Sequence, residues 1–419
     1  MLTRHPMTER QARPSILMVN RVYPPMRGAT GRLLHDLARH FVKAGHRVTI
    51  LTTTAGKPAV STRGPISIVR IKGVDRPNKL DWLSGLWRLY RAMLVNPRHD
   101  IIITLSDPPL LYVMGQRAAK KKGCAHIHWC QDLYPDLAAP LGFRIWPPLY
   151  NFFMTLGRAA LQAADCVVCI SRCMQRHLVR TGLEIRKTTV IENWPDMELL
   201  APASEVPVPT AKIELPHKQS LRDRRLYSDP SGQKFRVLYA GSLSRAHPLD
   251  AIVKAAQILQ KTHPDIELVF VGKGDGFEKL AHARAQFALD NIRLIPPQPR
   301  ASLKGLMESG DVHLVTMRDE SLGMLLPSKF YGGIAVARPI VFAGPAESDV
   351  AHLIARHSCG RVVKPDDGKS LATAIALYRT DADAWFAAHE GAQKALVGRT
   401  PDDAFALWSD VVRKVGNDR

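Results

Sequence analysis

The chain has 419 residues, more than one hydrophobic core usually serves, so two domains are expected. Its 58 Lys and Arg against 38 Asp and Glu give a net charge of +20, which indicates an anionic partner such as nucleic acid, a phosphorylated metabolite or an acidic bilayer. No window has the roughly 18 apolar residues of a membrane span, and six cysteines are too few for a secreted disulfide framework. These features favour a cytoplasmic protein.

The first half of the chain alternates strand and helix signals. Residues 1–14 lack the apolar stretch of a signal peptide and are expected to form a frayed tail. Residues 15–53 then read as a strand, a Pro/Gly loop, a helix and a second strand. Further apolar runs occur at 66–71, 101–105, 126–129, 166–170 and 189–191. This alternation predicts a domain over 15–200 with a parallel sheet and helices on both faces.

Three cysteines cluster near the end of this domain. If a helix begins near residue 171, Cys173 and His177 share a face, and a zinc site is conceivable. The favoured interpretation instead places Cys166 and Cys169 on a buried strand, where free cysteine behaves as a small hydrophobe. No metal site is therefore expected.

A Pro-rich and polar stretch over 201–233 interrupts the pattern and predicts a linker or insertion. Strand and helix signals then resume and predict a second α/β domain over 234–385. The remaining residues, 386–419, have helical period. Open α/β sheets bind ligands beyond the carboxyl ends of their strands, so the site is expected in a cleft between the two domains.

Two loops that follow strands combine glycine with a hydroxyl group. In the first, Gly28, Thr30 and Gly31 precede a helix, where a phosphate could approach backbone N–H groups. The alternative is a plain strand-to-helix turn. In the second, Gly241 and Ser242 end a strand of the second domain. Each loop alone is a weak signal.

Two cations follow strands of the second domain. Arg245 precedes a helix, and its guanidinium fork could grip two phosphate oxygens; the alternative is a surface arginine. Lys329 follows Pro327 and Ser328 in an apolar stretch, where it is either incidental or the partner of an anion near a helix start. If both loops meet at the cleft, Arg245 and Lys329 converge on one anion, such as the diphosphate of a departing nucleotide.

A third glycine-rich loop, VGKGDG, places Gly272 and Gly274 after a strand. Glycine there would let a ring or ribose lie against the backbone. The alternative is a tight turn in which Asp275 caps the next helix.

The first domain adds polar residues that end or follow a strand: His128, Gln131 and Asp132. A carboxylate beside histidines suggests acid/base chemistry or the orientation of a hydroxyl group. The alternative is that His126 and His128 alternate across the strand, so that only one of them faces the cleft.

Taken together, these segments resemble glycosyltransferase family four, the retaining sugar-nucleotide enzymes of GT-B fold. The likeness covers about residues 15–385 and rests on these motifs in order: YPPMRGATGR, WCQDLYPDLA, VIENWPD, VLYAGSLSRAHPLDAI, VGKGDG and LLPSKFYGGIAVARPI. Within the family, the chain resembles the branch of the fucosamine transferase of O-antigen synthesis. The resemblance implies two Rossmann-like, doubly wound domains facing a cleft, with residues 386–419 crossing back to the first domain.

The resemblance also implies a reaction. A hexosyl or N-acetylhexosaminyl group would pass, with retention, from a UDP- or GDP-linked sugar to a lipid-linked or oligosaccharide acceptor in lipopolysaccharide, O-antigen or exopolysaccharide biosynthesis. Arg245 and Lys329 would grip the donor diphosphate, so that no metal or other cofactor is required, and Ser328 would add a phosphate contact. Asp132 and Gln131 would lie near the acceptor and the reacting sugar.

One position departs from the family pattern. Family members commonly carry a glutamate at or near Gly332, where it orients the donor ribose or sugar, whereas this chain reads FYGGIA. Asp319 or Glu320 are candidate substitutes. The departure leaves the donor open, and it makes a catalytically inactive scaffold of a polysaccharide assembly complex the alternative function.

Two segments, over 81–98 and 143–161, pair aromatic with basic residues and suit an interface with anionic lipids. The alternative is that these aromatics belong to the core of the first domain. With a lipid-linked acceptor, the enzyme would be peripheral on the inner face of the cytoplasmic membrane. Nucleic-acid binding is disfavoured because the basic residues are dispersed and no groove-reading motif is present.

Overall fold

The computed structural model describes residues 13–26, 28–73, 79–200 and 234–417. Within these residues the chain forms two sheets, one of eight strands and one of six. The predicted linker 201–233 and nearly all of the predicted tail 1–14 lie outside the described residues.

The first sheet has the strand order β3-β4-β2-β1-β5-β6-β7-β8. Its strands are β1 Ile16–Val19, β2 Val48–Thr54, β3 Ala59–Arg63, β4 Ile66–Lys72, β5 Ile101–Thr104, β6 Ala125–Cys130, β7 Cys166–Cys169 and β8 Thr188–Val190. All neighbours pair in parallel except β3, which runs antiparallel to β4 at the edge. The central strands are buried at every position, as expected of a parallel sheet covered on both faces.

Within the described ranges, six helices accompany this sheet. They are α1 Ala29–Lys43, α2 Lys79–Val95, α3 Leu111–Lys122, α4 Pro147–Ala163, α5 Arg172–Arg180 and α6 Met197–Leu200, with 3-10 turns at Asp136–Ala138 and Ile185–Lys187. Helix α1 shows why they pack: Leu34, Leu37 and Phe41 recur at helical spacing and are fully buried. This packing fixes the loop between β1 and α1 at the carboxyl end of the sheet.

The second sheet has the order β11-β10-β9-β12-β13-β14, and all its pairs are parallel. Its strands are β9 Phe235–Ala240, β10 Ile266–Val271, β11 Ile292–Ile295, β12 Val312–Thr316, β13 Ile340–Ala343 and β14 Gly360–Val363. The helices are α7 Asp250–Thr262, α8 Asp275–Gln286, α9 Leu303–Glu308, α10 Lys329–Ala335, α11 Asp349–His357, α12 Gly368–Thr380, α13 Ala382–Leu396 and α14 Pro401–Asn417, with 3-10 turns at Arg300–Ser302 and Asp319–Ser321.

The last two helices separate at the domain border. Trp385 of α13 is buried in the core of the second domain, where its indole N–H donates to the carbonyl of Asp311 at 2.9 Å. Helix α14 instead packs on the first domain, where the Trp408 ring lies 4.9 Å from that of Trp129 and the Phe405 ring 5.2 Å from that of Trp194. Within the predicted crossing segment, α14 therefore makes the crossing and α13 does not.

Hydrogen bonds join the two domains. The N–H of Leu133, after β6, donates to the carbonyl of Met324 at 2.8 Å. The N–H of Cys173, in the first turn of α5, donates to the Asp349 carboxylate of α11 at 3.0 Å. Between the domains, the loops after β1 and β9 border one cleft.

Candidate active site

A cleft of ≈ 530 Å³ lies between the two domains. The first domain contributes Gly28 and Arg32 at the start of α1, together with the segment that follows β8. The second contributes the loops after β9, β10 and β11 and one side of α9 and α10. Of the residues predicted from the sequence, those that line the cleft are Gly28, Gly241, Ser242, Gly272, Ser328 and Lys329.

Two glycine-rich loops form the wall of the second domain. Gly241 and Gly272 have φ angles of 131° and 152°, a region that L side chains rarely adopt. A Cβ atom on Gly272 would lie 2.1 Å from the Gly241 carbonyl oxygen, so the two loops touch through their backbones. A Cβ atom on Gly241 would lie 3.1 Å from Cε of Lys329. Glycine at these positions therefore opens the backbone to a ligand and leaves room for the lysine.

Lys329 is a cation held in a slot of the cleft. Its Nζ lies 4.7 Å from the centre of the Tyr239 ring, a cation–π contact. Burial lowers the pKa of Lys329 to about 8. Nearby His247 stays neutral, because burial and the charge of Lys329 lower the pKa of its imidazole to about 3. Burial deprives the Lys329 ammonium of water, and the negative charge of a diphosphate bound here would stabilise the ammonium in place of that water.

Arg245 lies apart from this slot. Its side chain is exposed, its guanidinium carbon lies 5.4 Å from the centre of the Phe143 ring, and it does not line the cleft. The expected convergence of Arg245 and Lys329 on one anion is therefore not seen in this arrangement. The guanidinium instead contacts an aromatic ring of the first domain across the domain border.

The polar residues of the first domain turn inward. His128 is buried, its Nδ1–H donates to the Thr104 carbonyl at 3.0 Å, and burial lowers the pKa of its ring to about 4. Gln131 and Asn193 exchange amide hydrogen bonds of 3.0 and 2.8 Å. Neither His128 nor Gln131 lines the cleft. The buried His126 does not line it either, so the structure brings neither histidine to the cleft.

Asp132 differs from these neighbours because its carboxylate is partly exposed. The Ser106 hydroxyl accepts from the N–H of Asp132 at 3.2 Å and fixes the backbone. Burial and the charge of Asp107 raise the pKa of Asp132 to about 6. Asp107 itself pairs with Arg21 at 2.8 Å. These residues follow the neighbouring strands β1, β5 and β6, so they form one polar cluster at the carboxyl end of the sheet.

The remaining predicted residues serve the loops. Gly31 is buried under Val22, whose carbonyl oxygen would lie 2.9 Å from a Cβ atom added to Gly31. Thr30 Oγ1 lies 3.5 Å from the Asn20 amide nitrogen. Gly274 and Pro327 precede α8 and α10, and neither lines the cleft. They shape loops whose neighbours do line it.

The sequence reasoning missed a cluster of ion pairs on the first-domain side of the cleft. Arg32 Nη1 lies 3.0 Å from Asp36 Oδ2, and its Nη2 donates to the Trp194 carbonyl at 3.0 Å. Asp196 pairs with Arg32 at 3.6 Å and with Arg300 of the second domain at 3.2 Å. The signal available in the sequence was Arg32 itself, directly after Gly31 at a helix start.

The departure at Gly332 has a structural counterpart. A Cβ atom there would lie 2.7 Å from the terminal methyl group of Met307, which closes the cleft at this point. The candidate substitutes Asp319 and Glu320 are exposed and do not line the cleft. Neither therefore supplies a carboxylate where the family has one.

The structure also places the cysteine cluster and the segments that pair aromatic with basic residues. Cys166 and Cys169 are buried on β7, and the described part of the chain contains no group of three or more side chains arranged to hold a metal ion. No helix in the described ranges is both long and apolar enough to cross a bilayer. Helix α2 exposes 56 % of Trp87, and Trp146 and Phe152 at α4 are exposed by 71 % and 58 %.

Two family models match the chain. The Glycosyltransferase Family 4 model covers residues 30–199, and the Glycosyl transferases group 1 model covers 227–390. Among curated proteins, the chain is 26 % identical over 252 residues to the Escherichia coli K12 protein named colanic acid biosynthesis glycosyl transferase WcaI, and this match spans 59 % of the chain and 58 % of that relative. It is 22 % identical over 363 residues to the Pseudomonas aeruginosa glycosyltransferase WbjE, with 82 % and 83 % of the two chains covered.

Solved structures share the fold. A sucrose-phosphate synthase from Thermosynechococcus elongatus superposes with a TM-score of 0.74 at 14 % identity, covering 97 % of this chain and 100 % of that one. Anabaena HepE in complex with UDP and glucose superposes with a TM-score of 0.67 at 16 % identity, covering 96 % and 99 %. These likenesses confirm the predicted architecture of two Rossmann-like domains in the GT-B arrangement.

Proposed function

We infer, from the premise that the chain is a glycosyltransferase of the family-four type, that it builds cell-surface polysaccharide by moving a sugar from a nucleoside-diphosphate donor to a glycan acceptor. The observation that carries this proposal is Lys329, a half-buried cation at an interdomain cleft whose wall is bare glycine backbone. Such a wall suits a diphosphate, because glycine leaves room for it beside one ammonium. The N–H groups of Gly241 and Gly272 themselves donate to the carbonyls of Val271 and Ile295.

The proposed chemistry is departure of the diphosphate from the anomeric carbon. Negative charge grows on the leaving oxygen, and a preorganised cation lowers the barrier by binding that charge more tightly in the transition state. We assign this role to Lys329, with Ser242 and Ser328 as hydroxyl donors from the same wall. Arg245 joins them when its side chain leaves Phe143.

We assign retention at the anomeric carbon to a front-face route, in which the acceptor hydroxyl attacks from the side that the diphosphate leaves. The leaving phosphate takes the proton of that hydroxyl. Asp132 orients the acceptor from the polar cluster of the first domain, where the neighbouring loop after Leu133 contacts the second domain. The donor is a nucleotide sugar, with UDP and GDP as the first candidates, because HepE, which shares the fold, binds UDP.

The acceptor is proposed to be lipid-linked, because the first domain exposes aromatic side chains at α2 and α4. Trp87, Trp146 and Phe152 are exposed, and Arg91 and Arg144 lie on the same segments. Exposed aromatics near cations suit the interface of an anionic bilayer. Flotation with vesicles of 30 mol % anionic lipid, chosen as an order-of-magnitude mimic of an acidic leaflet, should carry the protein upward, and a Trp146→Ser/Phe152→Ser variant should float less. Wild-type protein that remains at the bottom contradicts membrane association.

Transfer itself is tested by incubating the protein with a panel of nucleotide sugars and a membrane extract containing lipid-linked glycans. Release of a nucleoside diphosphate together with a labelled glycan is the expected result. An inactive scaffold would release no nucleotide from any donor.

A further inference from the structure

The cleft has a cationic end and an apolar end, and we propose that it does not select for the 2′-hydroxyl, so that it binds 2′-deoxyribonucleoside diphosphates about as tightly as the corresponding ribonucleotides or more tightly. This inference rests on the proposed function and specifies its donor. Thymidine-type nucleotide sugars thereby join the candidate donors.

The position of the ribose follows from helix geometry. Lys329 and Gly332 lie three residues apart in α10, so they occupy one face and adjacent turns, about 5 Å apart. Both line the cleft. In a nucleoside 5′-diphosphate the ribose adjoins the phosphates, so a ligand whose diphosphate contacts Lys329 brings its ribose to Gly332.

The surface that meets the ribose is apolar. Gly332 offers no side chain, and the space of its missing Cβ atom is bordered by the terminal methyl of Met307 and, at 4.0 Å, by a methyl of Leu199. Leu303 and Leu306 continue this surface along the cleft. A hydroxyl group pressed against such a surface loses water without gaining an acceptor.

The described lining offers the ribose no free carboxylate. Asp196 is the single acidic residue among the described residues that line the cleft. Its Oδ1 accepts from Arg300 Nη2 at 3.2 Å and from the N–H of Glu198 at 3.1 Å. Its Oδ2 lies 3.6 Å from Arg32 Nε. Both oxygens are therefore already engaged by cations or backbone.

The size of the expected effect separates the two cases. A hydrogen bond from the 2′-hydroxyl to a carboxylate would favour ribose over 2′-deoxyribose by roughly 10- to 150-fold in affinity. An apolar contact provides no such preference, since a pocket rejects an analogue strongly only when a buried polar group is left unpaired. We expect the dissociation constant of the deoxynucleotide to exceed that of the ribonucleotide by less than about fivefold, or to be the smaller of the two.

The first test measures dissociation constants by titration calorimetry for three matched pairs: UDP and dUDP, GDP and dGDP, and ADP and dADP. Each pair differs only by the 2′-hydroxyl, so the unknown base does not matter. In the pair that binds most tightly, a deoxynucleotide affinity within fivefold of the ribonucleotide or better supports the inference. A ribonucleotide preference above fivefold overturns it while leaving the proposed function intact. Binding of no pair overturns both.

The second test restores the missing carboxylate. Gly332→Glu with Met307→Ala, which makes room for the new side chain, should raise the ribonucleotide preference at least tenfold over wild type. Gly332→Gln with Met307→Ala is the matched control, of equal size but without charge, and should change the preference less than threefold. Circular dichroism verifies that both variants fold. Equal preferences in the Glu and Gln variants would place the ribose elsewhere and overturn the inference.

Discussion

The polar residues that follow the strands of the first sheet are hydrogen-bonded inside their domain, whereas those of the second domain include a cation that faces the cleft. After β6 of the first sheet, His128 and Gln131 are buried and their hydrogen bonds are made inside the domain. At the start of α10 in the second domain, Lys329 faces the cleft, and no ion pair joins it to a carboxylate within the described chain. The contrast teaches that a residue type in a motif does not identify a site. A charged group left uncompensated at a cavity does.

The largest effect is expected from Lys329→Ala, which removes the uncompensated charge. We expect kcat/KM to fall by roughly 10²- to 10³-fold, because one preorganised charge donor to a leaving group is worth about that much. The measurement is steady-state transfer with a saturating acceptor. Lys279→Ala, an exposed lysine outside the cleft, is the matched control and should retain wild-type activity. Unchanged activity in Lys329→Ala would remove the distinction between the two strand ends.

Asp132→Asn asks whether the partly exposed member of the first cluster is functional. We expect kcat/KM to fall by roughly 10²-fold, in the range of lost acid/base or orienting groups. The variant should also be more stable at neutral pH. Because the folded-state pKa of Asp132 is raised to about 6 from 3.8, its contribution to stability is lost as pH rises between these values. The titration of Asp132 therefore lowers the unfolding free energy of the wild-type protein by up to about 3 kcal/mol over that window.

The stability part of this prediction is measured by denaturant unfolding at pH 4 and pH 7. From pH 4 to pH 7, the unfolding free energy of Asp132→Asn should rise more, or fall less, than that of the wild type. Asp290→Asn, at an exposed aspartate, should leave the difference unchanged. An equal pH dependence in wild type and Asp132→Asn would mean that the surroundings of Asp132 do not raise its pKa in the folded protein.

Arg245→Ala is expected to have an intermediate effect of about tenfold on kcat/KM. The side chain is exposed, so water and salt screen its charge, and its contact with Phe143 is worth only about 0.5–1 kcal/mol. The loss should appear mainly in KM for the donor. Unchanged activity in Arg245→Ala would mean that Arg245 stays at Phe143 and does not join Lys329 when the donor binds.

The smallest effect on turnover is expected from Gln131→Ala, with activity within about threefold of wild type. The variant should lose about 1–3 kcal/mol of unfolding free energy, because the amide of Asn193 is left buried without its partner. Thermal and denaturant unfolding measure this loss. A stable but inactive variant would place Gln131 in the site after all.

Much of the fold could be predicted from the sequence, because the strands of a parallel sheet appear as apolar runs and the segments between them have the period of a helix. Strand β3 was missed because it is an edge strand whose residues are largely exposed, with Val60 at 73 %, so no buried run marks it. The packing of α14 on the first domain could not be predicted from periodicity alone. Its period is visible in the sequence, but the aromatic surface that receives it, around Trp129 and Trp194, lies far away in the chain.

Residues that line the candidate cleft were predicted where a residue type and a backbone requirement coincide. Gly241, Gly272 and Lys329 line it, and they were selected because glycine after a strand and a lone lysine in an apolar stretch are both unusual. The pairing of Arg32 with Asp196 was not found, since the two residues lie far apart in the chain, and periodicity and local motifs carry no information about such distant pairs. The pairing with Asp36, one helical turn away, is a spacing that the sequence does display.

Helix α14 has a consequence for how the protein is made. Trp408 and Phe405 complete the core of the first domain, yet they are translated after the second sheet. The nascent first domain must therefore wait, with the surface around Trp129 and Trp194 uncovered, until α14 has been synthesised. Ending the polypeptide after residue 400 would leave that aromatic surface open to aggregation, even though all the described strands of both sheets would be present.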